Sequence, residues 1–160
     1  MIEIKQLAPT KKNLKAFTKF QIDLYRGNDC YVPPLISDDL ATLDPKKNPA
    51  FDFCESAYFM AYRDGKPVGR IAGIINHQVN ESTGKKSARF GFIDFIDDDE
   101  VSGALLKAAE DWGRSKGMDN IVGPLGFTDL DHEGMLIEGF DELSTMATIY
   151  NYPYYPKHLE

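Results

Sequence analysis

The sequence is poor in the features that mark whole classes of protein. It holds only two cysteines, Cys30 and Cys54, 24 positions apart; they form no metal-type pair and no disulfide framework, and read as reduced core thiols of a cytoplasmic protein. Three histidines, His77, His132 and His158, are too scattered for a metal site or a triad, so no metal is expected. No serine or cysteine sits in a nucleophile-elbow setting, and the glycines make no dinucleotide fingerprint. No stretch approaches the roughly 20 apolar residues of a membrane span. The opening Met1-Ile2-Glu3-Ile4-Lys5 lacks the basic-then-apolar layout of a signal peptide. Positive charge is also in deficit: the formal net charge is −7, and lysines cluster no further than short pairs such as Lys46-Lys47. That field repels nucleic acid and anionic membranes, so neither is expected as a partner.

What remains is the composition of an ordinary globular protein, 42% hydrophobic and 27% charged over 160 residues, which suits a single domain spanning residues 1–160 with one core. Ile2 and Ile4 alternate with polar neighbours as in a short strand. Thr10 is placed to cap a helix whose Leu14, Phe17, Gln21 and Leu24 share one face, with Gly27 as its stop. Residues 28–53 hold Pro33-Pro34, Pro45 and Pro49, a long connection with a helical turn or two around Ser37–Leu43. Ala57–Tyr62, Pro67–His77 and Ala88–Ile96 read as an antiparallel three-strand meander. Asp64-Gly65 is the hairpin turn, Asn80–Lys86 a polar turn, and Gly69 and Gly73 mark a bulge or a close backbone approach. Val101, Leu105, Ala108, Ala109 and Trp112 then keep helical spacing from an Asp98 or Asp99 cap to Gly117. Asn120–Val122 is a short strand, residues 126–139 an acidic loop, Thr145–Tyr150 a strand, and Tyr154 opens another helix. The order predicts an α/β protein with a mixed sheet and helices on both faces.

This order resembles the GNAT superfamily of acyl-CoA N-acyltransferases. The residues that carry the resemblance are Pro67-Val68-Gly69-Arg70-Ile71-Ala72-Gly73, Gly91-Phe92-Ile93-Asp94-Phe95 and Ala104-Leu105-Leu106. A bacterial GNAT-like branch is matched further by Gly123-Pro124, by Glu133 to Asp141 in a Gly-Met-Leu-Ile-Glu-Gly-Phe frame, and by Tyr150-Asn151-Tyr152-Pro153-Tyr154-Tyr155. Members of that branch are longer, and the fold continues with another helix and strand. The resemblance therefore implies a fragment lacking them, with an open sheet edge that would favour a homodimer.

The resemblance implies acetyl-CoA or another acyl-CoA as cofactor, held along the strand before the long helix and at that helix's N-terminus. The cofactor-binding candidates are Phe92, Ile93, Phe95, Ser102, Gly103 and Asn151. The family's pyrophosphate loop, Q/R-x-x-G-x-G/A, needs glycines so that backbone amides can approach the phosphates. Here its Gln/Arg position falls on Asp97, the first glycine on Glu100 and the second on Ser102. Four consecutive carboxylates, Asp97 to Glu100, thus stand where a doubly charged anion would sit. Each unit repulsion at 4 Å costs about 1 kcal/mol in water and about 4 at an effective dielectric of 20, whereas acids at a helix start suit the bare helix dipole.

For catalysis, the family's tyrosine that protonates the leaving thiolate falls in register on Leu159, so Tyr154 and Tyr155 are the candidate general acids. Asp94 and Glu133 are the candidate bases for the amine. The expected activity is transfer of an acyl group to a small-molecule amine or amino acid. The alternative is a non-catalytic GNAT-fold binding or assembly module with a degenerate CoA loop.

Overall fold

The computed structural model describes all 160 residues. A five-stranded mixed sheet in the order β1-β2-β3-β4-β5 is made by β1 (Glu3–Leu7), β2 (Cys54–Arg63), β3 (Lys66–Asn76), β4 (Ser87–Phe95) and β5 (Asn120–Val122). Neighbours from β1 to β4 are antiparallel, and β5 joins β4 in parallel along Ser87–Arg89 only. The helices are α1 (Lys11–Leu24), α2 (Ile36–Leu43), α3 (His77–Thr83), α4 (Asp99–Ser115) and α5 (Tyr155–Leu159), with a 3-10 turn at Pro49–Asp52. No helix is long and apolar enough to cross a membrane.

Period-two alternation in β2 and β3 divides the core into two layers. Tyr58, Met60, Ala72 and Ile74 pack with Leu14, Phe17 and Phe20 of α1. Ala57, Phe59, Ala61 and Ile71 pack with Val101, Leu105 and Ala109 of α4. Gly69 and Gly73 lie under α4. A Cβ on Gly69 would stand 2.6 Å from Leu105 Cδ1, and one on Gly73 2.6 Å from the Trp112 ring, so the glycines let the helix seat on the strand.

Two elements differ from the sequence reading. Residues 77–83, expected to end a strand and open a polar turn, form α3, because the Asn76 side chain accepts from Val79 N at 3.0 Å and Gly84 closes the helix at φ 67°. Thr145–Tyr150 forms no strand. There the Thr145 and Thr148 hydroxyls meet at 3.0 Å, a local polar link that competes with a sheet ladder.

The irregularity that positions the site is in β4. Arg70 pairs with Asp94 and Ala72 with Gly91, so three steps along β4 match two along β3. Phe92 takes φ 49° at this bulge. The extra residue reverses the alternation and puts Asp94 on the face of α1 beside Arg70.

Candidate active site

Arg70 and Asp94 form a buried ion pair, with side chains 2% and 4% exposed and a shortest contact of 2.8 Å. Arg70 Nε also donates to Asp94 Oδ2 at 2.9 Å, and Nη1 donates to the Phe17 carbonyl at 3.0 Å. Gln21 Nε2 donates to Asp94 Oδ2 at 3.1 Å and Tyr155 Oη donates to Asp94 Oδ1 at 2.7 Å. Tyr31 Oη in turn donates to Gln21 Oε1 at 3.0 Å. Burial pushes the Asp94 carboxyl up from its ordinary value, opposed by the Arg70 guanidinium and by the hydrogen bonds from Tyr155, Arg70 and Gln21. Burial, with Asp94 beside it, raises the Tyr155 phenol well above its ordinary value, so it stays protonated.

This network forms one wall of a cavity of about 60 Å³. Its other walls come from the α1–α2 connection (Val32, Pro34), from α2 (Asp39), from β4 (Phe92, Ile93), and from the long segment after β5, including Met135 and Asn151. That segment is tied to itself by a side chain acting as backbone. Asn151 Oδ1 accepts from Leu136 N at 2.7 Å and its Nδ2 donates to Leu136 O at 3.0 Å. Three tyrosine rings brace the same corner, Tyr25 stacking on Tyr31 and on Tyr152 with centroids 4.5 Å apart in each case.

Of the residues named from the sequence, Asp94, Tyr155, Phe92, Ile93, Asn151 and Leu159 line this cavity, while Glu133, Tyr154, Phe95, Ser102 and Gly103 do not. Glu133 is exposed in its loop, and Gly103 is exposed on α4. Phe95 is fully buried and stacks on Tyr155 at 4.6 Å, while the Tyr154 hydroxyl donates to the Phe95 carbonyl. Ser102 is buried and bonds His158 Nδ1 at 2.8 Å. Arg70, Gln21, Tyr31 and Asp39 were not named as site residues. Two of them carry a signal in hindsight: Arg70 is a charge inside the apolar run Val68–Ile75, and Gln21 is a polar residue on the apolar face of α1. Such residues need partners when buried.

The α4 start does not fit the pyrophosphate of an acyl-CoA. Asp98 Oδ1 accepts from Glu100 N at 2.9 Å, and the Asp98 carbonyl accepts from Val101 N and Ser102 N, each at 3.1 Å. Two of the first-turn amides that a bare helix start leaves free, those of Glu100 and Val101, are therefore engaged. Arg63 spans Asp98 Oδ2 at 2.7 Å and Glu100 Oε2 at 3.1 Å. From α5, His158 reaches Asp97 at 2.8 Å and Asp99 at 3.2 Å, its side chain only 1% exposed. The acidic run is a helix cap whose carboxylates are met by the Arg63 guanidinium and the His158 ring.

No protein-family model matches the chain. It is 37% identical over 150 residues to Protein YghO of Escherichia coli, covering 94% of this chain and 38% of that protein. It is 36% identical over 133 residues to the bacterial ceramide synthase of Caulobacter vibrioides, covering 82% of this chain and 35% of that protein. The chain thus spans little more than a third of the length of either relative. Among solved structures it is similar to a tandem GNAT protein from the clavulanic acid biosynthesis pathway, with a TM-score of 0.56 and 16% identity, over 74% of this chain and 34% of that one. That likeness is one of fold: the chain has the fold of the GNAT acetyltransferases.

Proposed function

We propose that the chain forms the acceptor site of an N-acyltransferase, in which an acyl group passes from a thioester to an amine. The observation that carries this reading is the Asp94–Tyr155 hydrogen bond at the wall of the cavity. It joins a carboxylate and a phenol where an amine can enter between the α1–α2 connection and β4. An attacking amine must lose a proton, and a carboxylate made more basic by burial is suited to receive it. Arg70 and Gln21 orient that carboxylate, and Tyr155 Oη, kept protonated, is the proton donor on the same wall. The similarity to a protein named as a ceramide synthase and to a GNAT structure supports acyl transfer as the chemistry.

A second reading, a non-catalytic binding module, is favoured by one observation: the Asp98 cap and its partners fill the helix start where the fold would take a phosphate. Incubating the chain with acyl thioesters and a panel of primary amines, with amide formation read by mass spectrometry, separates the two. Amide product supports acyl transfer. A folded protein that makes none with any donor overturns it in favour of the module.

A further inference from the structure

The ionisable groups around the cavity do not balance. Arg70 is committed to Asp94 and to the Phe17 carbonyl, and His132 Nε2 lies 2.9 Å from the Met146 carbonyl. Asp39, half-buried on α2, also lines the cavity, and none of the side-chain hydrogen bonds of the protein involves its carboxyl, which burial pushes up against the pull of the Arg70 guanidinium. A half-buried carboxylate with no donor of its own gains more from a ligand's charged donor than a fully solvated one does. The dipole of α2 does not account for it. Asp38, exposed in the same first turn, already places an acid there without facing the cavity. The two carboxylates and one guanidinium leave the cavity with a net negative charge, matched to a cation.

Size and surroundings narrow the ligand. At about 60 Å³ the cavity is well below the roughly 150 Å³ that encloses a benzene. It holds a small head group and leaves the remainder of the ligand outside. Pro34 and Met146 line it, and the chain next to Pro34 carries Leu35 and Ile36. These two and Met146 are 54%, 44% and 54% exposed. We propose that Asp39 is the residue that recognises the ammonium head of an apolar-tailed primary amine, the tail leaving past Leu35, Ile36 and Met146. This rests on the acyltransferase reading for its biological sense, but its chemistry stands on the cavity alone.

The test is calorimetric titration of the protein with n-hexylamine and with 1-hexanol, in the absence of any acyl donor. The wild type is expected to bind the amine at least about tenfold more tightly, as a charge-assisted hydrogen bond requires. Asp39→Asn should bring the ratio close to one, and Asp39→Glu should keep a preference. Asp39→Ser, with thermal melting as a check, covers the case in which the asparagine variant fails to fold. The proposal is overturned if the wild type shows no preference or binds neither probe, or if the neutral variants retain the preference. Its failure is distinct from that of acyl transfer. Amide synthesis with a KM for amine unmoved by Asp39→Asn overturns the role of Asp39 alone. Amine preference without amide product overturns the acyltransferase reading alone.

Discussion

Asp94 stands directly across from Arg70 in the antiparallel pairing of β3 and β4, and the two side chains meet at 2.8 Å with almost no exposure. A buried pair of this kind contributes little net stability, because desolvation offsets attraction, but each partner depends on the other. Asp94→Asn should therefore strand the Arg70 charge and lower unfolding stability by about 3–5 kcal/mol in urea. Replacing both, Arg70→Met with Asp94→Leu, should cost less than Asp94→Asn alone. A double variant as unstable as the sum of the singles would show that the two do not act as a pair.

The acidic cap of α4 makes a pH-dependent contribution whose sign follows from Arg63. The hydrogen bond from Arg63, with that from Glu100 N, holds the Asp98 carboxyl below its ordinary 3.8. A depressed folded value means that the stabilisation is complete above the ordinary value and lost as pH falls through the folded one. Asp98→Ala should lower Tm by roughly 2–5 °C at pH 7. The gap from wild type should close as pH is taken below the ordinary value, and shrink in high salt. A gap independent of pH would rule out the Arg63–Asp98 pairing as its source.

The same cap bears on the donor. Since the α4 start offers a pyrophosphate repulsion instead of free amides, an acyl thioester lacking that group should serve about as well as the acyl-CoA. The predicted kcat/KM ratio between acetyl-CoA and an N-acetylcysteamine thioester is within roughly tenfold, about 1.4 kcal/mol of transition-state binding. A preference for acetyl-CoA beyond a hundredfold would place a pyrophosphate site on this chain.

Much of this arrangement was legible in the sequence, and the gaps have local physical causes. The meander, the α4 stripe from Val101 to Trp112 and the Thr10 cap follow from periodicity and capping chemistry. The acidic run was readable as a cap because carboxylates favour a helix start. The face on which Asp94 lies was not readable. A strict alternation places residues 91 and 94 on opposite faces, and only the bulge at Phe92, where a bulky residue takes a positive φ, brings them to the same one. Asp39 was hidden for a different reason. It sits in α2, a two-turn helix inside the proline-rich stretch 28–53, and its place at the cavity wall is set by tertiary packing. Asn151 was visible only as part of a motif, while its work, pairing with the Leu136 backbone, depends on a contact 15 residues away.

The most direct test of the central claim is the rate of amide formation by Asp94→Asn and Tyr155→Phe beside the wild type. Circular dichroism should confirm that each variant is folded, and the Tyr155→Phe ring should keep its stack on Phe95. The account predicts turnover in the wild type, with losses of about 10²–10⁴-fold in Asp94→Asn and a marked loss in Tyr155→Phe. Turnover unchanged in a folded Asp94→Asn would contradict it.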